Sequence, residues 1–212
     1  MSQKVWDLIL LLDSELTANP KIKISKMTIP LPLNKRDKAQ ISGINPQGIW
    51  EFHKEMNGLY IEWSAKRVKD ANVQGLVKIM SIQEILKDWQ GIIFFEFTEE
   101  NDRIRKFHPI DFFIDEACVG AFINEADKED CSLYLYSFGD DPINLSLNMM
   151  GYIQMLLSSR GFLYWQYAIL EIISGQENPS SQRFKKWMPK LFTGFEWEQF
   201  VSLYNSLKVS RV

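Results

Sequence analysis

The sequence predicts an α+β fold, in which a mainly antiparallel sheet of about six strands is flanked by helices and followed by a helical C-terminal extension. β-Branched and aromatic runs follow one another through the middle of the 212-residue chain without a helical pattern between them, which favours antiparallel pairing. Helical periodicity occurs at the N terminus and returns after residue 142. No internal repeat or linker divides the chain, so we expect these elements to share one core.

The first predicted helix covers residues 4–18, because apolar side chains recur there three and four positions apart. These side chains are Val5, Leu8, Ile9, Leu12 and Leu16. Asn19-Pro20 ends the helix, since proline cannot continue it. Residues 22–24 then alternate between apolar and basic side chains as a short strand, and two prolines keep residues 29–33 extended.

A second helix is predicted to run up to Asn57-Gly58, with Asn45 as its N-cap and Pro46 at its first position. The Asn-Gly pair is typical of a helix that ends in a left-handed residue. Residues 59–63 follow with alternating apolar and polar side chains, which predicts a strand that has one face in the core.

A basic loop over residues 66–75 leads to a predicted strand at 76–80. Ser81 and Glu84 then have the spacing of a capping box, in which a hydroxyl and a carboxylate each accept a hydrogen bond from a backbone amide at the start of a helix. We expect a short helix from this box to about Trp89.

The middle of the chain contains four further predicted strands, because β-branched and aromatic runs there are bounded by turn residues. They cover residues 92–97, 112–114, 119–123 and 132–138. After residue 142 the apolar period changes to that of helices. Three helices are predicted at 149–161, 165–175 and 180–188, the last of them broken before Pro189, and a second capping box from Thr193 to Glu196 opens a fourth.

Composition limits the location and the partners of the protein. A net charge of -3 gives no overall attraction to nucleic acid or to anionic lipid. Cys118 and Cys131 are too few for a disulfide framework, so we expect free thiols in a reducing compartment. The apolar run at 8–12 is too short for a signal peptide or a membrane span. The expected location is the cytoplasm, without membrane association.

Catalytic motifs are scarce in this sequence. The phosphate-binding loop, the dinucleotide-binding turn and the serine-hydrolase elbow are all missing, which disfavours nucleotide enzymes and serine hydrolases. The chain has two histidines, so a three-histidine metal site is impossible, and we expect neither a metal nor a cofactor. His108, Asp111 and Asp115 could serve acid and base chemistry, although the same pattern describes a solvated turn before a strand. We expect no enzyme, and keep this cluster as an alternative.

Charge is distributed unevenly along the chain. The balance of Lys and Arg against Asp and Glu is +4 over residues 1–81, -10 over 82–142 and +3 over 143–212. The acidic residues fall in three predicted loops and form the candidate partner-binding set: Glu99, Glu100, Asp102, Asp127, Glu129, Asp130, Asp140 and Asp141. If these loops meet at one edge of the sheet, they would steer and bind a basic partner. The alternative is that the charges keep an aromatic sheet soluble.

Aromatic residues number 28, and most lie at strand or helix positions where they can form a core. Proteins that stack bases on aromatic rings also need a basic track for phosphates, and here many aromatic residues lie in the acidic segment. We therefore expect no direct binding of nucleic acid. Aromatic rings that stay exposed beside the acidic loops would mark the place where a protein partner binds.

One part of the chain resembles the SMI1/KNR4 family, also called the SUKH superfamily. The resemblance rests on Leu31-Pro32, on a helix with Trp50 and Phe52, and on Asn57-Gly58 followed by a strand to Trp63. The strand and capped helix that follow, and the helix near residue 150, are similar to the later elements of the family. The resemblance covers residues 1–160, which we expect to form an α+β domain of this family, with 161–212 as a helical extension packed on it.

The resemblance implies an α+β domain without a common catalytic centre. Many bacterial members are thought to be immunity proteins that bind and block toxins, and fungal members act as regulatory proteins. It therefore implies a non-catalytic protein that neutralises a cognate toxin by occlusion, with a basic toxin domain as its partner. The alternative within the same fold is an intracellular regulatory or scaffold module that binds an endogenous partner.

Overall fold

The computed structural model describes residues 5–34, 49–70, 73–123 and 131–209. Several predicted positions lie outside these described residues. They are the expected helix start at Asn45 and Pro46 and the acidic residues Asp127, Glu129 and Asp130. Within the described residues, no helix is both long enough and apolar enough to span a membrane.

A seven-stranded antiparallel sheet, in which the spatial order of the strands follows the chain, organises the described residues. The strands are β1 Ile22–Thr28, β2 Leu59–Ala65, β3 Gln74–Ile79, β4 Phe107–Ile114, β5 Ala117–Phe122, β6 Tyr134–Ser137 and β7 Ile143–Asn144. Each strand pairs with the next in antiparallel orientation. The predicted α+β class with a mainly antiparallel sheet is confirmed.

Helices precede, interrupt and follow this sheet. They are α1 Val5–Ala18, α2 Ile49–Glu55, α3 Ile82–Ile85, α4 Met149–Ser159, α5 Gln166–Ser174, α6 Pro179–Leu191 and α7 Trp197–Leu207. A 3₁₀ turn at Arg103–Lys106 leads into β4. Four of the helices follow the last strand, so the predicted helical C-terminal third is confirmed.

The core forms where the helices pack on the sheet, and β5 is buried along its whole length. Trp63 of β2 is fully buried, and its ring contacts Phe162 and Phe192 at centroid distances of 6.1 and 5.5 Å. The indole Nε1 donates to the Arg160 carbonyl at 2.8 Å. The residues after 160 therefore complete the core beside the sheet.

The predicted strand at 92–97 is wrong. Turns occupy this segment, and its only ladder contact among the described residues is a single bridge between Gln90 and Phe94. β3 pairs directly with β4 instead, through Ile79 and Asp111. A run with high strand propensity therefore remains outside the sheet, because the neighbouring strand position is already occupied.

The helix expected to reach Trp89 ends at Ile85, although its capping box is present as predicted. A longer helix would use the Ile85 carbonyl as acceptor for the Trp89 backbone amide. That carbonyl instead accepts the Trp89 indole Nε1 at 2.9 Å and His108 Nδ1 at 2.7 Å. Two side-chain donors thus replace the backbone donor and end the helix.

Two predictions near the C terminus are also wrong. Pro189 does not break α6, which continues to Leu191. The proline costs one backbone hydrogen bond, but it lies in the last turn, where Phe192 N still donates to the Met188 carbonyl at 2.8 Å. The Thr193 capping box does not form either, since Glu196 is the N-cap of α7 and makes no side-chain cap.

Candidate functional site

Two exposed phenylalanines lie side by side in the turn-rich segment after α3. Phe95 is 45% exposed and Phe97 is 86% exposed. Their rings stack, with centroids 5.4 Å apart and planes 3° from parallel. Among the aromatic side chains whose burial the structure describes, which excludes Trp50, only these two are exposed. An apolar ring that is almost fully hydrated is a feature of interaction surfaces.

Hydrogen bonds hold the backbone that carries these rings. Phe95 N donates to Thr98 Oγ1 at 2.9 Å, and Thr98 N donates back to the Phe95 carbonyl at 3.0 Å. Arg105 donates from Nε to the Thr98 and Glu99 carbonyls at 3.2 and 2.9 Å, and its guanidinium lies 5.1 Å from the Phe94 ring centroid. The loop is therefore fixed by a planar cation before any partner arrives.

Carboxylates surround the two rings. Glu96 lies between them in sequence, and Glu99 and Glu100 follow them; all three side chains are exposed. None of the three forms an ion pair within the described part of the chain. Asp102 is also exposed, and its Oδ1 accepts from Ile104 N at 2.9 Å as the N-cap of the 3₁₀ turn.

A second acidic loop follows β6, and the first loop reaches that strand through Arg103, whose Nη2 donates to the Tyr134 hydroxyl at 3.4 Å. Asp140 and Asp141 are exposed in the turn after β6. Burial raises the pKa of the Tyr136 hydroxyl, and the charges of Asp102 and Asp140 raise it further. The first acidic loop therefore adjoins β6 next to Asp102, the second follows β6 in sequence, and the third lies outside the described residues.

Most other aromatic rings of the acidic segment pack against one another. They form a series of edge contacts that includes Phe107, Phe122, Tyr134, Tyr136, Phe138 and Phe112. Arg103 covers part of this series, with its guanidinium carbon 3.7 Å from the Phe122 ring centroid. Because these rings cover one another, the Phe95 and Phe97 pair is the aromatic surface that stays exposed to a partner.

The residues of the alternative acid-base cluster do not meet. His108 borders an open cavity of about 320 Å³, which Asp111 and Asp115 do not line. Asp111 is fully buried, and its Oδ2 accepts from the Tyr152 hydroxyl at 2.6 Å. Asp115 is exposed in the turn between β4 and β5. Burial lowers the pKa of His108 and raises that of Asp111 to about 6, so each group responds to its own surroundings.

The other histidine forms a hydrogen bond to the backbone in the core. His53 is fully buried on α2, and its Nε2 donates to the Met80 carbonyl at 2.9 Å. In the described residues, no group of three or more His, Cys, Asp or Glu side chains is arranged to hold a metal ion.

Asn57, one of the residues on which the family resemblance rests, connects α2 to α3. Asn57, just after α2, accepts from Ile82 N through Oδ1 at 2.9 Å and donates to Gln83 Oε1 at 3.0 Å, so it caps the start of α3. Gly58 has a φ of +105°. Phe52 and Trp63 are fully buried, and Trp50 belongs to α2. Phe52 and Trp63 therefore serve the packing of the core, and Asn57 and Gly58 form the turn after α2.

The sequence predicts Phe95 and Phe97 in a strand, where the two rings share one face because Glu96 alternates with them. The signal for a loop is the dense acidic run directly behind them, because acidic residues are depleted in strands. Comparisons of the chain with protein-family models, with curated proteins and with solved structures found no match.

Proposed function

We propose that this protein is a non-catalytic binding protein that occludes a basic protein partner. Its binding surface, which we call the acidic-aromatic surface, consists of Phe95, Glu96, Phe97, Glu99, Glu100, Asp102, Asp140 and Asp141. The observation that carries the proposal is the exposed, stacked phenylalanine pair in a fixed loop, surrounded by carboxylates.

The chemistry of this surface describes its partner. Burying an exposed phenylalanine contributes about 1.5–3 kcal/mol, and interface energy concentrates in a few such anchors. The surrounding carboxylates attract Lys and Arg and disfavour an acidic partner. The complementary surface is therefore an apolar recess bordered by basic side chains. Because Arg105 already holds the loop, little ordering entropy opposes binding.

The specific function we propose is that of an immunity protein for a bacterial toxin. The resemblance to the SMI1/KNR4 family supports this role. The negative charge of the surface supports this role as well. Enzymes that act on nucleic acids bind a polyanion in a basic cleft, and an acidic protein with an apolar anchor can fill such a cleft. Inhibition would then be stoichiometric and without turnover.

The test is co-expression with the toxin encoded beside this gene. We expect the wild-type protein to restore growth and to be recovered in a complex with the toxin. Phe97→Ala should weaken the complex by about 30-fold or more, since it removes an anchor. The matched control is Leu11→Ala on α1, which removes an apolar side chain that is 60% exposed elsewhere.

Growth that the wild-type protein does not restore, together with no complex, would refute the immunity function. A complex that Phe97→Ala and Leu11→Ala affect equally would place the interface elsewhere. Tight binding of an endogenous regulatory protein through Phe97, with no effect on the toxin, would support the scaffold alternative.

A further inference from the structure

A basic surface is assembled where α6 meets two loops. The Lys21 ammonium donates to the Lys190 carbonyl at 2.6 Å, at the C-terminal end of α6. Lys66 donates to the Pro20 carbonyl at 3.3 Å, and its backbone N bonds to the Lys21 carbonyl at 2.7 Å. Arg183 lies 3.7 Å from Asp70 in the loop between β2 and β3. Three distant parts of the sequence thus contribute to one surface.

The two sides of α6 differ in chemistry. Phe184, Met188 and Leu191 form its buried side. One flank beside it carries Arg183, Lys186, Trp187 and Lys190, which follow the same three- and four-residue spacing. Trp187 is half-buried, and the Lys186 and Lys190 ammonium nitrogens lie 5.6 and 5.1 Å from its ring centroid. A planar ring is therefore held among cations.

Basic residues outnumber acidic ones on this surface. In residues 19–21, 66–70 and 183–190, all of them described, the cations are Lys21, Lys66, Arg67, Lys69, Arg183, Lys185, Lys186 and Lys190. Asp70 is the one carboxylate in these ranges. Lys185 is already paired with Glu171 and Glu177. The other cations exceed the acidic charge of the same segments, so the local potential is positive although the whole chain carries -3.

We propose that this surface, the basic tryptophan patch formed by Lys21, Lys66, Arg183, Lys186, Trp187 and Lys190, binds single-stranded nucleic acid. Lysine and arginine would contact phosphates, and Trp187 would stack on a base. Residues 183 and 190 lie about 10 Å apart along the helix, a span long enough to contact more than one nucleotide of a single strand. This site is independent of the acidic-aromatic surface.

The composition of the patch favours nucleic acid over a membrane. Anionic membranes retain proteins through basic charge combined with large apolar side chains that insert between lipids. The large apolar side chains exposed in the described residues lie on other segments: Leu10, Leu11, Leu31, Ile92, Phe95, Phe97, Ile143 and Ile173. The one large apolar group beside these cations is the half-buried Trp187, whose flat ring suits stacking.

From the sequence alone we expect no direct binding of nucleic acid, because the aromatic residues of the acidic segment lack a basic track; the patch is proposed against that expectation. Its cations come from positions near 20, 66 and 185, which folding brings together: Lys21 donates to the Lys190 carbonyl, Lys66 donates to the Pro20 carbonyl, and Arg183 lies 3.7 Å from Asp70.

The experiment measures fluorescence anisotropy of a labelled single strand of about 12 nucleotides, titrated with the full chain. We expect a logarithmic salt dependence with a slope of about -3 for four phosphate contacts, and quenching of tryptophan emission. Lys186→Glu with Lys190→Glu should weaken binding by at least 10-fold. Trp187→Leu keeps an apolar side chain, but it should weaken binding by about 5-fold or more and remove part of the quenching.

The control is Lys87→Glu with Lys106→Glu, an equal change of charge at exposed positions outside the patch. Equal loss in this control would overturn the proposal, as would binding that is absent or insensitive to salt. If heparin binds with equal affinity and Trp187→Leu leaves the affinity for the strand unchanged, the patch is a general polyanion site and the proposal is wrong. Stronger binding to vesicles containing phosphatidylserine would overturn it in favour of a membrane. Phe97→Ala should leave strand binding unchanged, which separates this test from that of toxin binding.

Discussion

Asp111 is a buried carboxyl without a cation in direct contact. Its Oδ2 accepts from Tyr152 at 2.6 Å and from Gln166 Nε2 at 3.3 Å, whereas its Oδ1 and Gln166 Oε1 have no hydrogen-bond partner. Burial raises the pKa of Asp111 to about 6, and the hydrogen bonds and Lys78 oppose this rise. The neutral acid suits this site better than the carboxylate does.

We expect Asp111→Asn to flatten the pH dependence of stability. The folded-state pKa of about 6 lies above the unfolded value of 3.8, so the folded protein binds more protons between these limits. Stability from Asp111 is therefore present below pH 4 and lost as pH rises through 6, by about 3 kcal/mol in total. Urea unfolding of both proteins across this range measures the difference, and parallel curves would contradict the account.

A substitution at Gly58 tests the turn after α2, which the Asn57-Gly58 pair predicts from sequence. Its φ is +105°, and an added Cβ would lie 3.0 Å from the Ile79 carbonyl oxygen. Gly139 has a similar φ of +95° with nothing within 4 Å of the same position. We expect Gly139→Ala to cost about 1 kcal/mol and Gly58→Ala at least 1 kcal/mol more, because only the second adds a clash. Thermal unfolding checks this, and equal costs would show that φ alone matters.

At the scale of elements, the local signals at Ser81 and Asn57-Gly58 predict the structure, whereas the local signals at Pro189 and Thr193 and the non-local conditions do not. The capping box at Ser81 and the Asn-Gly helix end involve neighbouring residues, so the sequence contains the whole signal. The failed strand at 92–97 depended on whether a partner strand was available. The early end of α3 depended on His108, which comes from another element. Neither the availability of a partner strand nor the contact with His108 can be recognised from the residues that neighbour the segment in sequence.

Arg105 determines the order of the exposed loop. We expect Arg105→Lys to increase amide exchange at residues 94–99, because an ammonium cannot contact the Thr98 and Glu99 carbonyls and the Phe94 ring with one planar group. Global stability should change by less than about 1 kcal/mol. Hydrogen exchange read by mass spectrometry measures this, with Lys106→Ala as control. Unchanged exchange would mean that other contacts hold the loop.

The whole molecule separates its charge. The acidic-aromatic surface lies in the segment with a balance of -10, and the basic tryptophan patch combines residues from the two positive segments. This division along the chain is visible in the sequence, and so are the acidic residues. The loops that lie together are not, because the contacts of Arg103 with Tyr134 and of Lys21 with Lys190 join residues far apart in sequence.

Charge reversal should slow association with the toxin more than it speeds dissociation. We expect Glu99→Lys with Glu100→Lys to lower the association rate by at least 10-fold at low salt and to reduce its dependence on ionic strength. Glu196→Lys with Glu198→Lys makes the same change of charge at exposed positions near α7. Stopped-flow mixing at several salt concentrations distinguishes the pairs. Equal slowing by both would indicate that only net charge matters.

The central claim is that the acidic-aromatic surface binds the partner. Hydrogen exchange of the purified complex with the toxin tests it most directly. We expect protection of amides in 94–102 and 138–141, with exchange in 183–190 unchanged from the free protein. Protection confined to other segments, with 94–102 exchanging as in the free chain, would contradict the claim.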